Sequence, residues 1–144
     1  MYKHILVAVE NSAADRTIIE HVRRLAGLTG AKLLLVHVAD GWAARHYNDL
    51  QLRESEEMTI DRGYLEQLTS TLSASGLETH WRLAMGDPAS EIMRVAAEEK
   101  VDLIAMSTHG HRWLNDVLRG ATADRVRHGV MVPVLLLRAQ PIEG

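Results

Sequence analysis

The sequence predicts an α/β fold in which helices cover both faces of a doubly wound, five-stranded parallel sheet. Five short apolar runs alternate with segments of helical periodicity along the 144 residues. Four of the runs are almost continuously apolar, which is typical of parallel strands buried on both faces. The alternation of strands with helices favours right-handed βαβ units. The length suits one compact core, so we expect a single domain over residues 1–144.

The predicted strands are the apolar runs themselves. The third run alternates polar with apolar residues, so we expect it to lie at an edge of the sheet, while the other four are rich in Val, Ile, Leu and Ala. In chain order the runs are Ile5–Val9, Lys32–Val38, Glu78–Met85, Leu103–Met106 and Val132–Leu137.

The first two predicted helices show apolar residues three and four positions apart. The first has Asn11 or Ser12 as its N-cap and ends at Gly27 or Gly30. The second carries an apolar stripe from residue 58 to residue 72 and opens near the acidic residues 54–57, where negative charge suits the helix dipole. Residues 40–53 show no clear period and are interpreted as a long connection.

The remaining two helices have clear sequence boundaries. The third opens at Asp87, an N-cap residue, with Pro88 at the first helical position. The fourth is predicted from about Ala121 to His128 and is stopped by Gly129. His37 falls inside the second strand, so we interpret it as a hydrogen-bonded core or rim histidine rather than a ligand.

Composition excludes several classes of function. The formal net charge of −3 provides no broad basic field, so we expect no nucleic-acid partner. The chain has no Cys, which excludes disulfides, thiolate zinc sites and thiol redox chemistry. No apolar stretch approaches the length of a membrane helix, and the N-terminus has no secretory pattern, so we expect a cytoplasmic protein without a membrane partner.

The stretch after the fourth strand has the features of a phosphate-binding loop. Gly110 and Gly120 let backbone N–H groups approach an anion without a Cβ in the way, and a helix predicted to start near Gly120 adds partial positive charge. His109 adds further positive character. In an open parallel sheet, ligands bind beyond the carboxyl ends of the strands, and this loop lies there.

The motifs of this stretch resemble the universal stress protein family. The resemblance covers almost the whole chain and is carried by residues 8–12, by the turn 86–88, and by the run from Asp102 to Arg138. The family's ATP-binding branch has a motif of three glycines. Two residues separate the first glycine from the second, nine separate the second from the third, and a hydroxyl residue follows the third. Gly110 and Gly120 match the second and third glycines.

The resemblance implies a fold and a ligand. The fold is adenine nucleotide alpha hydrolase-like, with strand order 3-2-1-4-5, and the ligand is ATP, with magnesium possible beside it. Of the implied site, Ala8 and Glu10 flank the ribose and Val38 offers backbone groups to adenine. The positions implied for the phosphates are Ser107, His109, Gly110, Gly120, Ala121 and Thr122.

Three positions depart from the family pattern. Ser107 replaces the first glycine and brings a Cβ to a place where the backbone passes close to the ligand. Ala121 replaces the hydroxyl residue and removes one O–H donor to phosphate, a bond worth about 0.5–1.5 kcal/mol. Glu10 replaces the usual Asp after the first strand and keeps a carboxylate for a ribose hydroxyl, with one more methylene.

Three functions fit these observations. The favoured one is a regulatory module of the stress response that binds an adenine nucleotide. The alternative is an interaction module that binds no nucleotide and forms a homodimer through Val132–Arg138, the most apolar segment, since many family members pair this strand with its copy. An enzyme such as a slow ATPase is the least favoured, because the loop lacks the lysine of a Walker motif.

Overall fold

The computed structural model describes residues 1–40, 47–108 and 116–139. Within these residues five strands form one parallel sheet in the order β3-β2-β1-β4-β5. The predicted order, the parallel pairing and the edge position of β3 are thereby confirmed. The elements are β1 His4–Ala8, α1 Asp15–Thr29, β2 Lys32–Asp40, α2 Tyr47–Ala74, β3 Thr79–Gly86, α3 Pro88–Glu99, β4 Leu103–Ser107, α4 Asp116–Gly129 and β5 Val134–Leu137.

The sheet is buried on both faces. Ile5 and Val7 of β1 pack with α1 and α2, whereas Leu6 between them packs with α3 and α4. Alternate side chains of a strand point to opposite faces, so each strand contributes to two cores. All three of these side chains are fully buried. The continuous apolar runs of the sequence are explained by this double burial.

The start of α1 differs from the prediction. The helix begins at Asp15, and its N-cap residue is Ala14, without a side-chain cap. Neither Asn11 nor Ser12 caps the helix, because the carboxylate of Asp15 instead accepts the backbone N–H groups of the preceding loop. Helix α1 ends at Thr29, and Gly30 follows as its C-cap in the left-handed conformation at φ 75°, where glycine is favoured.

Helices α2 and α4 both begin earlier than the sequence predicts. Helix α2 begins at Tyr47, inside the stretch interpreted as a connection, and α4 begins at Asp116 rather than near Ala121. Both starts were missed because the apolar residues of the first turns show only weak helical periodicity. Gly120 thus lies inside α4, past its first turn, where a backbone N–H is normally used by the helix itself.

Two further boundaries follow the local chemistry. Asp87 caps α3, its carboxylate accepting the N–H of Ser90 at 3.0 Å, and Pro88 is the first helical residue, as predicted. Strand β5 begins at Val134 rather than Val132. Proline has no N–H to donate to a ladder, and Pro133 marks the start of the strand by accepting the N–H of Ile104 through its carbonyl.

In the three described ranges, the helices are too short or too polar for any of them to span a lipid bilayer.

Candidate functional site

The sheet changes winding direction between β1 and β4. From β1 the chain moves outward to β2 and β3, then returns to β4 on the other side of β1 and continues to β5. Ligands of open α/β sheets bind in the crevice that such a reversal leaves beyond the carboxyl ends of the strands. Ala8 is the last residue of β1 and Ser107 the last of β4, so both lie at this crevice.

A small cavity lies at the crevice. Its volume is about 10 Å³, and it is lined by Ala8, Glu10, Asp15, Met106 and Ser107. A volume of this size holds about one water molecule. The cavity is therefore too small to enclose a nucleotide.

Two of the polar residues that line this cavity, Glu10 and Ser107, are candidate site residues named from the sequence. Glu10 is only 4% exposed, two residues beyond the end of β1. The hydroxyl oxygen of Ser107 is buried and has no hydrogen-bond partner among the described residues. The structure thus brings together Ala8, Glu10 and Ser107, three of the residues named from the sequence.

Asp15 shapes the loop that carries Glu10. Its carboxylate accepts the backbone N–H of Glu10 at 3.0 Å, of Asn11 at 2.9 Å and of Ser12 at 3.4 Å. Asn11 takes a left-handed conformation at φ 60°, which asparagine tolerates better than most residues. One carboxylate therefore fixes three consecutive peptide groups and, through them, the direction of the Glu10 side chain.

Helix α2 contributes a tyrosine to the same carboxylate. The Tyr64 hydroxyl donates to Oδ2 of Asp15 at 2.5 Å. Burial raises the pKa of Asp15 above its usual range, and the hydrogen bonds from Tyr64 and from the loop oppose that rise. The pKa of Tyr64 is also raised, first by burial and then by the nearby Asp15 carboxylate. Tyr64 therefore stays protonated and remains a hydrogen-bond donor.

The β2 side of the crevice contains a buried histidine and aspartate. Nδ1 of His37 lies 2.9 Å from the carbonyl oxygen of Val9, and Nε2 lies 3.1 Å from Oδ2 of Asp61 on α2. A carbonyl oxygen only accepts, so Nδ1 is the ring nitrogen that donates to Val9. The prediction of a hydrogen-bonded core histidine is confirmed. Val38 follows it in β2, two residues before the strand ends, and is half-buried.

Asp61 also reaches the loop after β1. Its Oδ1 accepts the side-chain N–H of Asn11 at 3.1 Å. Asp61 is 1% exposed, so its two oxygens join the loop after β1 and the end of β2 inside the protein.

Comparison with known proteins agrees with this architecture. Residues 1–138 match the universal stress protein family. The chain belongs to the universal stress protein family. Universal stress protein MJ0577 of Methanocaldococcus jannaschii is 26% identical over 158 residues, with 96% of each protein covered. The universal stress protein in the QAH/OAS sulfhydrylase 3′ region of Thermus aquaticus is 30% identical over 149 residues, covering 96% of this chain and 100% of the relative.

Solved structures of the family superpose well on this universal stress protein. The structure of MJ0577 has a TM-score of 0.82 at 25% identity and covers 99% of each chain. A universal stress protein in complex with cAMP has a TM-score of 0.69 at 18% identity, covering 96% of this chain and 98% of its own. One from Archaeoglobus fulgidus in complex with dAMP has a TM-score of 0.70 at 21% identity, covering 95% and 98%. At these identities the last two show the shared fold.

The phosphate end of the implied site is described only in part in this universal stress protein. His109 and Gly110 lie outside the described residues. Gly120, Ala121 and Thr122 lie in the first half of α4. The Thr122 side chain is half-buried, one residue beyond the position at which the family's ATP-binding pattern has a hydroxyl.

Sequence reasoning missed three residues of the site, namely Asp15, Asp61 and Tyr64. A signal for Asp61 was present, because it falls in the apolar stripe of α2 between Met58 and Leu65, at the spacing of a buried face. An acidic residue in such a stripe is buried with a partner. No comparable pattern marked Asp15, since a carboxylate at the first helical turn is also the ordinary surface arrangement.

Proposed function

We propose that this universal stress protein is a regulatory module of the stress response that binds an adenine nucleotide over the carboxyl ends of β1, β2 and β4. The observation that carries the proposal is the buried Glu10 carboxylate at the crevice between β1 and β4, held by a loop whose backbone is fixed by Asp15. Two proteins of the same fold are complexes with cAMP and with dAMP, which supports an adenine ligand.

The ribose end of the ligand is assigned to Glu10. A carboxylate accepts hydrogen bonds from sugar hydroxyl groups, and bonds to a charged acceptor are worth about 1.5–3 kcal/mol. Ala8 leaves space beside the carboxylate, and the backbone of Val38 faces adenine in the proposal. Removal of water from this half-closed crevice strengthens these bonds.

The phosphate end is assigned to Gly110, Gly120, Ala121 and Thr122, with Ser107 and His109 beside them. Here the proposal is ATP, with magnesium bound to its phosphates. Because Gly120 lies inside α4, its N–H is normally used within the helix, so we expect the phosphates to contribute less affinity than the nucleoside. The affinity ratio of ATP to AMP, with and without magnesium, measures that contribution.

A double-mutant cycle on ribose tests the proposal. Calorimetry compares ATP with 2′,3′-dideoxy-ATP on the unmodified protein and on Glu10→Ala. We expect the dideoxy ligand to bind the unmodified protein about tenfold more weakly and both ligands to bind Glu10→Ala equally, because the hydroxyl groups then have no acceptor. Glu78→Ala is the matched control, since Glu78 is exposed just before β3, at the amino ends of the strands and away from the crevice.

Two outcomes decide against the proposal. If the dideoxy ligand loses as much affinity relative to ATP in Glu10→Ala as in the unmodified protein, Glu10 does not bind the ribose. No measurable affinity of the unmodified protein for AMP, ATP or cAMP at millimolar concentration favours the interaction module instead.

A further inference from the structure

Helix α2 is joined to the candidate ribose loop by two polar side chains. Asp61 and Tyr64 are one turn apart on α2, so they project from the same face of the helix. Asp61 bonds to Asn11, and Tyr64 bonds to Asp15. Both partners belong to the segment that starts at Glu10 and ends in the first turn of α1.

The two contacts act on different parts of the loop. Tyr64 donates to the oxygen of Asp15 that also accepts the N–H of Asn11. Asp61 holds the side chain of Asn11, the residue in the left-handed conformation. The backbone turn after β1 is thus determined by side chains of α2 as well as by its own hydrogen bonds, because a left-handed non-glycine residue needs support from its surroundings.

The same helix also reaches the adenine side of the proposed site. Asp61 lies 3.1 Å from Nε2 of His37, the residue before Val38. The other ring nitrogen of His37 bonds to the carbonyl of Val9, the residue before Glu10. One buried network therefore links α2 with the ends of β1 and β2, the two strands proposed to contact the nucleoside.

We propose that Tyr64 and Asp61 are positioning residues, which set the orientation of Glu10 for the ribose through Asp15 and Asn11. The role rests on the proposed function, but the state of the loop can be measured without any nucleotide. Bound nucleotide and the docking of α2 then favour each other, since each stabilises the same loop conformation. Binding of a nucleotide therefore stabilises the packing of α2 against the rest of the protein.

Tyr64→Phe is the central variant, because it removes one hydroxyl and keeps the ring that packs against the core. Tyr2→Phe is the matched control, since Tyr2 is also half-buried against that core but lies at the other end of β1. Amide hydrogen exchange and amide NMR shifts of Glu10 and Asn11 are recorded on the nucleotide-free proteins. We expect at least tenfold faster exchange at these two amides in Tyr64→Phe and no change in Tyr2→Phe.

The pH dependence of the same amide shifts separates positioning from simple packing. Within residues 1–40, 47–108 and 116–139, the groups that face Asp15 are Tyr64 from α2, Glu10 from the loop after β1 and the N–H groups of that loop. The hydroxyl of Tyr64 holds down the pKa of Asp15, which burial raises. Without the Tyr64 hydroxyl, the Asp15 carboxyl takes up its proton at a higher pH. The pH midpoint of the Glu10 and Asn11 amide shifts should therefore be higher in Tyr64→Phe and unchanged in Tyr2→Phe.

Affinity completes the test. We expect Tyr64→Phe and Asp61→Asn to bind ATP about five- to tenfold more weakly than the unmodified protein, with Tyr2→Phe unchanged. The positioning role is overturned if Tyr64→Phe leaves both the amide exchange of the loop and the pH midpoint unchanged. It is also overturned if amide exchange in Tyr64→Phe rises equally over the whole protein. Faster loop exchange in a protein that binds no nucleotide supports the link to α2 and refutes the proposed function.

Discussion

Ser107 is the residue at which this chain departs most clearly from the family's ATP-binding pattern. It ends β4, lines the 10 Å³ cavity with Glu10, and its buried hydroxyl has no partner among the described residues. A buried hydroxyl without a hydrogen bond is unfavourable, and in the proposed site the Ser107 side chain stands in the wall of the crevice.

We expect Ser107→Gly to raise the affinity for ATP about fivefold, which corresponds to about 1 kcal/mol. The substitution removes both the Cβ and the hydroxyl from the wall of the crevice. Ser107→Ala is the matched variant, since it removes only the hydroxyl and so separates the two effects. Calorimetry measures all three proteins. Weaker binding by Ser107→Gly would contradict the expectation, and equally weak binding by Ser107→Ala would assign the loss to the hydroxyl.

At the site, sequence predicted the residues that follow a motif and missed those that depend on packing. Glu10, two residues beyond β1, and Ser107, the last residue of β4, were named because they stand at fixed positions of a motif. Asp15 and Tyr64 meet across a separation of 49 residues, and that meeting depends on how α2 lies against the loop. No local pattern encodes it, because each residue alone also suits an ordinary surface position.

Helix α3 has an N-terminal cap that also involves a side chain of α4. Asp87 accepts the N–H and the hydroxyl of Ser90, and Arg125 of α4 donates to the same carboxylate at 2.8 Å. The hydrogen bonds from Ser90, followed by the interaction with Arg125, hold the pKa of Asp87 below its usual range. One side chain thus ends a turn, starts a helix and joins α3 to α4.

We expect Asp87→Ala to lower the free energy of unfolding by about 1 kcal/mol at pH 7. A carboxyl whose pKa is lower in the folded protein stabilises it above the unfolded pKa and loses that effect as the pH falls through the folded pKa. The difference in Tm between Asp87→Ala and the unmodified protein should therefore shrink below about pH 4. Asp124→Ala, an exposed carboxylate of α4, is the control. A difference that is constant from pH 7 to pH 3 would contradict the assignment.

Sequence predicted every strand and the existence of every helix described, but not all of their ends. The start of α3 at Asp87-Pro88 was predicted from a strong local signal, and Gly30 was one of two glycines predicted for the end of α1. The starts of α2 and α4 were not, because helices start wherever tertiary packing makes the first turn favourable, even when periodicity is weak.

For the whole molecule, β5 is an edge strand within the described part of the sheet. Its four residues are only half-buried, and Met131 just before it is fully exposed. The N–H groups of Ile104 and Thr108 donate to the carbonyls of Pro133 and Leu137. In a parallel ladder the N–H and C=O groups of one residue point to the same neighbouring strand. The backbone groups of the odd-numbered residues of β5 therefore point to β4, and the backbone N–H of Leu136 points away from the sheet.

We expect a homodimer in which β5 pairs with β5 of a second copy through this outward ladder. Light scattering at micromolar concentration should give twice the chain mass of 16.1 kDa. Leu136→Pro removes an outward N–H and should give a folded monomer, whereas Leu135→Pro breaks the ladder with β4 and should lower the Tm instead. A mass of 16.1 kDa for the unmodified protein would contradict the dimer.

The central place of β1 also sets an order for biosynthesis. Ile5 pairs with Leu33 on one side, which follows soon in the chain, and with Leu103 on the other. While the ribosome is still making the middle of the chain, β1 can pair with β2, but its second edge stays open and apolar until β4 emerges. Contacts between such distant residues form slowly, and open strand edges attract other chains. The nascent protein is therefore most exposed to aggregation before β4 has been made.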